Sequence, residues 1–363
     1  VSEEVSRQAE NSVGIVGGGI IGMSIAWRLA QTGCRVAVYE KSAIGGEASW
    51  AGAGMLSPGG EIDSASPLSP LAIESRQLYG AFVRELEEAS ALAIDYQECG
   101  ALDLAYSPDE LEALELRAAR QSNLGIQSKP VTKAHVSTFW PRVRTQNFAG
   151  ARFYADDAIV NPREIVFALA AACRKSGVSI AQDCPVSRAV VSAGSVSLET
   201  VRGVQAHAAV VIAAGAWGGA IAVQGVPALP PAEPVKGHLI GYQQPEQTCH
   251  TILRHGHTYL LQRASGLLIA GSSIEHAGFD REIQPWVVAS IGHRAEFVLP
   301  NLADATPSET WIGFRPESDA LHIGAWHSPR FYLAYGHYRN GILLAPLTAQ
   351  RVSAAVTASL GMR

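Results

Sequence analysis

Val13-Gly14-Ile15-Val16-Gly17-Gly18-Gly19-Ile20-Ile21-Gly22 runs from an apolar strand pattern straight into a G-x-G-x-x-G turn, and the next apolar run, Val36-Ala37-Val38-Tyr39, ends on Glu40. Together these segments spell a complete dinucleotide-binding βαβ unit. Gly17 serves the tight turn, Gly19 lets backbone approach a pyrophosphate, and Gly22 lets helix and strand pack closely. The helix expected over Met23 to Gln31 turns its positive end, with the amides of Ile20 and Ile21, toward the phosphates. Glu40, followed by Lys41, is placed to accept hydrogen bonds from a ribose diol. Its charge repels a 2′-phosphate, so the unit favours FAD or NAD over NADP.

Composition narrows the rest. A chain of 363 residues exceeds the usual single-domain size, so two domains sharing an interface are expected. The formal net charge of −5 offers no electrostatic footprint for nucleic acid, which leaves small molecules as the partners. Five scattered cysteines, with no C-x-x-C pair, read as reduced and mostly buried thiols. The leading segment Val1 to Ser12 is polar and acidic, unlike a signal peptide, and every apolar run is broken before the ~18 residues of a membrane span. The expectation is a soluble cytoplasmic protein.

Further along, Gly45 to Leu56 is too rich in glycine and alanine for an ordinary core element. Ala51, Gly52, Ala53 and Gly54 would let backbone approach something flat, and Ser49 could bond phosphate or ribityl oxygens, with a plain loop as the alternative. Helical spacing recurs from Leu71 to Leu92, from Pro108 to Arg120 behind an N-cap at Ser107, and from Pro162 to Lys175 behind Asn161. A strand over Ser179 to Ala181 leads toward Val186. The run from Ala209 reads as a strand entering a second small-residue turn at Ala214, Gly215 and Trp217. Pro227, Pro230, Pro231 and Pro234 mark a crossover. Beyond it, Gly237 to Tyr242, Thr258 to Arg263 and Gly266 to Ser272 read as antiparallel strands, with Ser265-Gly266 as a hairpin turn. The chain closes with a strand over Phe331 to Tyr335, a glycine turn and a helix from around Pro346. The fold class is therefore α/β in two domains. A Rossmann-like domain for FAD or NAD is expected over residues 12–80, 155–228 and 310–363, and a largely antiparallel substrate domain over 81–154 and 229–309; the FAD-binding assignment of the first comes with the likeness that follows.

Four stretches now carry a family likeness: the Gly17 turn, Trp50-Ala51-Gly52-Ala53-Gly54-Met55-Leu56, Trp311-Ile312-Gly313-Phe314-Arg315-Pro316, and Gly336-His337-Tyr338-Arg339-Asn340-Gly341-Ile342-Leu343-Leu344-Ala345-Pro346. With them, nearly the whole chain resembles the FAD-dependent D-amino-acid oxidases, and within these the glycine oxidase branch used in thiamine biosynthesis. The resemblance implies non-covalent FAD and oxidative deamination of glycine, sarcosine or a small D-amino acid. The product imine hydrolyses to the oxo acid, and oxygen is reduced to peroxide. A dehydrogenase passing electrons to a quinone or carrier is the near alternative, and a non-catalytic or tRNA-modifying flavin module the remote one. A dimer or tetramer is also implied. Arg315 resembles the residue that pairs with the substrate carboxylate, Tyr259 the tyrosine that contacts it, and Arg339 one that lies beside flavin and substrate. His257, Ile274, His238 and Met55 match positions around the pocket, while His337, Tyr338, Asn340, Gly341 and Ile342 match positions at the flavin.

The residues themselves leave choices open. A guanidinium fork suits a carboxylate through two parallel N–H bonds, yet an internal acid such as Glu317 would satisfy a buried Arg315 equally well. Tyr259 sits in an apolar strand where a packed core tyrosine is an ordinary outcome. His257, His276 and His337 show no metal-ligand spacing with a carboxylate, so no metal is expected.

Overall fold

The computed structural model describes residues 11–362, so nearly all of the acidic leading segment lies outside the described residues. Ser12–Val16 forms a central strand of a six-stranded sheet, flanked by Ala209–Ile212 on one side and Arg35–Tyr39 on the other. Phe331–Tyr335 follows Ala209–Ile212, Ser179–Ala181 follows Arg35–Tyr39, and every pairing is parallel except the edge hairpin that Phe331–Tyr335 makes with His322–Ser328. Side chains alternate across a strand, and here the two faces meet different partners. Ala209 and Val211 join Val13, Ile15, Val36 and Val38 beneath a layer of helices, whereas Val210 and Ile212 join Val16 and Tyr39 against a four-stranded sheet. A strand buried on both faces must be apolar throughout, which is why Ala209–Ile212 reads as an unbroken run.

The helical layer comprises Ile20–Gln31, Leu68–Ser90, Pro162–Lys175 and Gly341–Ser359, packed on one another. Two starts follow the capping expectation: Ser107 Oγ accepts from the Glu110 amide at 3.2 Å, and Asn161 Oδ1 from the Arg163 amide at 3.2 Å. The last helix differs, because it starts at Gly341 and carries Pro346 inside. Proline has no N–H for the carbonyl four residues back, Ile342, and the Tyr79 hydroxyl bonds that carbonyl instead at 3.0 Å. A distant side chain thus rescues a position that the local sequence marks as a helix start.

Glu309–Glu317, Glu233–Gln243, Leu267–Gly271, Thr258–Gln262 and Ile252–His255 begin an eight-stranded sheet that continues through Ala101–Ala105, Gly150–Tyr154 and Lys129–Val131. The helix Pro285–Val298 covers one face of it. One expectation needs correction here. Pro234 belongs to the Glu233–Gln243 strand rather than to the crossover, at a point where only Glu309–Glu317 pairs with it, so no ladder hydrogen bond is lost on its other side. Glu309–Glu317 pairs along its whole length with Glu233–Gln243. All five cysteines are free thiols, and among the described residues no helix is long and apolar enough to cross a membrane.

Candidate active site

The carboxyl ends of Ser12–Val16, Arg35–Tyr39 and Ala209–Ile212 open into a cavity of about 360 Å³, roofed by the Glu309–Glu317 and Glu233–Gln243 strands. Its volume falls in the range of small-molecule sites. At the first turn Gly17 has φ of 109°, and a Cβ there would stand 2.8 Å from the Ala213 carbonyl carbon, so only glycine serves. Gly22 lies behind the wall rather than on it: a Cβ would overlap the Gly17 carbonyl oxygen, which is the close helix–strand approach expected of a third glycine. The Ile20 amide at the helix start donates to Ser49 Oγ at 2.9 Å. Gly341 and Ile342 bring the start of a second helix to the same cavity, with N–H groups that have no intrahelical acceptor.

Glu40 reaches the wall, but much of its carboxylate is already engaged. Oε2 accepts from the Gly18 amide at 2.7 Å, and Oε1 from the amide and hydroxyl of Ser42 at 2.9 and 3.2 Å. Of about four acceptor sites on a carboxylate, one is left for a ribose hydroxyl. Lys41 Nζ sits 3.6 Å above the Trp217 ring and 2.8 Å from Glu47. Ile20, Ile21, Ala51, Gly52, Ala53, Gly54, Met55, Val186, Ala214, Gly215, His337 and Tyr338 also line the cavity. A Cβ on Gly52 would stand 2.5 Å from Ile342 Cδ1, and one on Gly313 would overlap Ala51 Cβ. A groove cradled by glycines, with a helix N-terminus and an acid toward one end and a second helix N-terminus further along, fits an elongated dinucleotide such as FAD.

The opposite end collects Arg315, Tyr259, Arg339 and Glu61. Arg339 and Glu61 form a two-point ion pair at 2.9 and 3.1 Å. Burial alone would lower the Arg339 pKa, and the carboxylate more than offsets it. Among the described residues Arg315 bonds only neutral oxygens, the Ser273 carbonyl and the Ser272 hydroxyl, each at 3.0 Å. No carboxylate among the described residues lies within ion-pairing distance of it; Glu317 faces His276 at 3.8 Å instead. Desolvation lowers the Arg315 pKa, and burial raises that of Tyr259 against the pull of both guanidiniums, so the phenol stays a neutral donor. His337 is buried, with Nε2 3.0 Å from Thr348 Oγ1 and its pKa pushed down to about 3 by desolvation, so it is uncharged.

Several expected residues lie elsewhere. His257 is exposed in the turn between Ile252–His255 and Thr258–Gln262, and Ile274 is exposed in the loop after Leu267–Gly271; neither lines the cavity. His238 is fully buried on the far face of its strand, since Gly237 and Leu239 take the cavity face. Asn340 is buried beside the cavity rather than on its wall. Glu61 escapes sequence reading because it follows Pro58-Gly59-Gly60 in a single helical turn, where no periodicity or motif marks it.

A family model described as FAD dependent oxidoreductase matches residues 12–355. Glycine oxidase from Geobacillus kaustophilus is 33% identical over 345 residues, covering 94% of this chain and 91% of that protein. Glycine oxidase from Pseudomonas putida is 31% identical, covering 93% of this chain and 92% of that protein. The crystal structure of glycine oxidase from Geobacillus kaustophilus superimposes with a TM-score of 0.89 at 31% identity, covering 95% of this chain and 94% of that one. With a glycine-cradled dinucleotide groove leading to a guanidinium end, the chain belongs to this family of FAD-dependent oxidoreductases and is a flavin-dependent amine oxidoreductase.

Proposed function

We propose that the chain oxidises a small amino acid, with glycine first, sarcosine and small D-amino acids next, and that Arg315 grips the substrate carboxylate. The observation that carries this reading is the charge count at that end of the cavity. Glu61 neutralises Arg339, while among the described residues Arg315 has neutral oxygens alone, so the site there lacks one negative charge that a substrate carboxylate supplies. A buried charge without a counter-ion is costly, and a bidentate carboxylate removes that cost.

Bound FAD supplies the two-electron acceptor for the substrate α C–H bond. Gly17, Gly19, Ile20, Ile21 and Ser49 would hold its phosphates and Glu40 a ribose hydroxyl; Gly52, Ala53, Gly341 and Ile342 would border the ring system. The chain itself orients the substrate and excludes water. Arg315 fixes the carboxylate, the Tyr259 hydroxyl donates a further bond to it, and Arg339, locked and neutralised by Glu61, shapes the wall beside them without leaving its place. Met55 and Leu239 add apolar wall to the same cavity. Oxygen is the proposed acceptor, with release of peroxide, in line with the relatives' designation as oxidases.

Arg315→Ala tests the reading. Two charge-assisted bonds of about 1.5–3 kcal/mol each predict at least a hundredfold loss in kcat/KM for glycine, with partial recovery in Arg315→Lys. A kcat/KM within threefold of the parent in folded, flavin-loaded Arg315→Ala would overturn it. Peroxide formed in equal amount to oxo acid assigns oxygen as acceptor, and oxo acid formed only with an added quinone assigns a carrier.

A further inference from the structure

The Glu233–Gln243 strand has one face on the cavity, through Gly237 and Leu239, and so turns Lys236 and His238 the other way. Both are fully buried, and both reach for the same stretch of chain, residues 272–284. Lys236 Nζ pairs with Asp280 at 2.7 Å, and the Lys236 and Glu275 backbones exchange bonds of 2.9 and 3.0 Å. His238 Nδ1 lies 2.8 Å from Glu275 Oε1, while Nε2 accepts from the Gln284 amide at 3.0 Å. That accepting role makes Nδ1 the ring N–H, donated to the carboxylate. Ser273 Oγ accepts from the His238 amide at 2.8 Å and donates to the same Glu275 oxygen at 2.6 Å. The Ser273 carbonyl and the Ser272 hydroxyl are the two groups that hold Arg315.

We infer that His238 and Glu275 are positioning residues for Arg315, acting through the Ser272-Ser273 turn from behind the substrate wall. The inference rests on Arg315 gripping the substrate carboxylate. Glu275 Oε1 is a shared acceptor for the His238 ring and the Ser273 hydroxyl, so its removal frees the turn that aims the guanidinium. Bidentate recognition is directional, so a mis-aimed fork weakens carboxylate binding while leaving the chemistry of a bound substrate largely intact. Nothing about His238 in the sequence gives this role, because it depends on a carboxylate 37 residues downstream.

The test uses the flavin-loaded enzyme and two readouts: KM and kcat for glycine, and the inhibition constant of acetate, an unreactive carboxylate. Glu275→Ala raises both the KM and the acetate constant about tenfold, with kcat within twofold. Glu275→Gln keeps the acceptor and recovers most of that loss. In an Arg315→Ala background, Glu275→Ala adds no further loss of acetate binding, as expected for two residues acting in one path. Should Glu275→Ala not yield folded protein, Ser273→Ala carries the same expectation. Unchanged KM and acetate binding in these variants, alongside a large effect of Arg315→Ala alone, overturn the positioning role and leave the clamp standing. No effect of Arg315→Ala overturns the clamp itself and the positioning role with it.

Discussion

Gly237 offers a way to move Arg315 without touching it. A Cβ at position 237 would stand 2.5 Å from Arg315 Nη1 and 2.6 Å from Cζ. Ordinary contacts begin near 3.5 Å, so Gly237→Ala forces the guanidinium back by about 1 Å. The obstructing atoms are the far end of a flexible side chain, and no left-handed backbone is required at Gly237, so the fold accommodates the methyl group at little cost. The displacement does break the 3.0 Å bonds to the Ser272 hydroxyl and the Ser273 carbonyl and turns the fork away from its carboxylate. Losing one charge-assisted bond of about 1.5–3 kcal/mol corresponds to a fall in kcat/KM of about 10- to 100-fold. Steady-state kinetics with glycine measure it, and a melting temperature within about 3 °C of the parent, with full flavin content, checks the fold. A folded Gly237→Ala enzyme with kcat/KM within twofold of the parent would refute the reasoning, since the predicted clash would then have no consequence for the substrate.

Two further outcomes follow from the same geometry. Gly22→Ala places a Cβ against the Gly17 carbonyl, which is backbone and cannot step aside, so destabilisation of about 2 kcal/mol or more and weakened FAD retention are expected from denaturant unfolding and flavin release; unchanged stability would count against the close helix–strand approach. Acid should destabilise the fold through two buried histidines, His207 and His337, whose pKa values burial pushes down from 6.5 to about 4 and about 3. Because the folded values are depressed, the unfolded chain takes up these protons first: their contribution is complete above pH 6.5 and is lost as pH falls toward 4 for His207 and toward 3 for His337, by about 1.4 kcal/mol per pH unit for each histidine. His207→Gln therefore narrows the gap to the parent as pH falls through this window, and parallel stability curves would contradict it.

Much of the nucleotide-binding half is legible in the sequence because its signals are local. The Gly17 turn, the all-apolar Ala209–Ile212 strand, the short strands Ser179–Ala181 and Phe331–Tyr335, and the caps at Ser107 and Asn161 each need only a few adjacent residues. What escapes reading depends on partners far along the chain. Pro346 marks a helix start until Tyr79 supplies the missing bond to Ile342, and Glu61 is an anonymous acid until Arg339 closes on it. His238 and Leu239 differ in duty only because strand alternation sends one to a loop and the other to the cavity. The resemblance implies Arg315 and Tyr259 at the substrate; that they share one end of a cavity, with no acid among the described residues spent on Arg315, comes from the structure.

The most direct measurement is the visible spectrum of the purified holoenzyme under anaerobic titration with glycine, sarcosine, D-alanine and D-proline in turn. The expected result is loss of the flavin absorbance band with glycine or another of these amines and its return on admitting air. A yellow protein whose band none of them changes, at concentrations far above those that saturate related sites, would contradict the proposed substrate class.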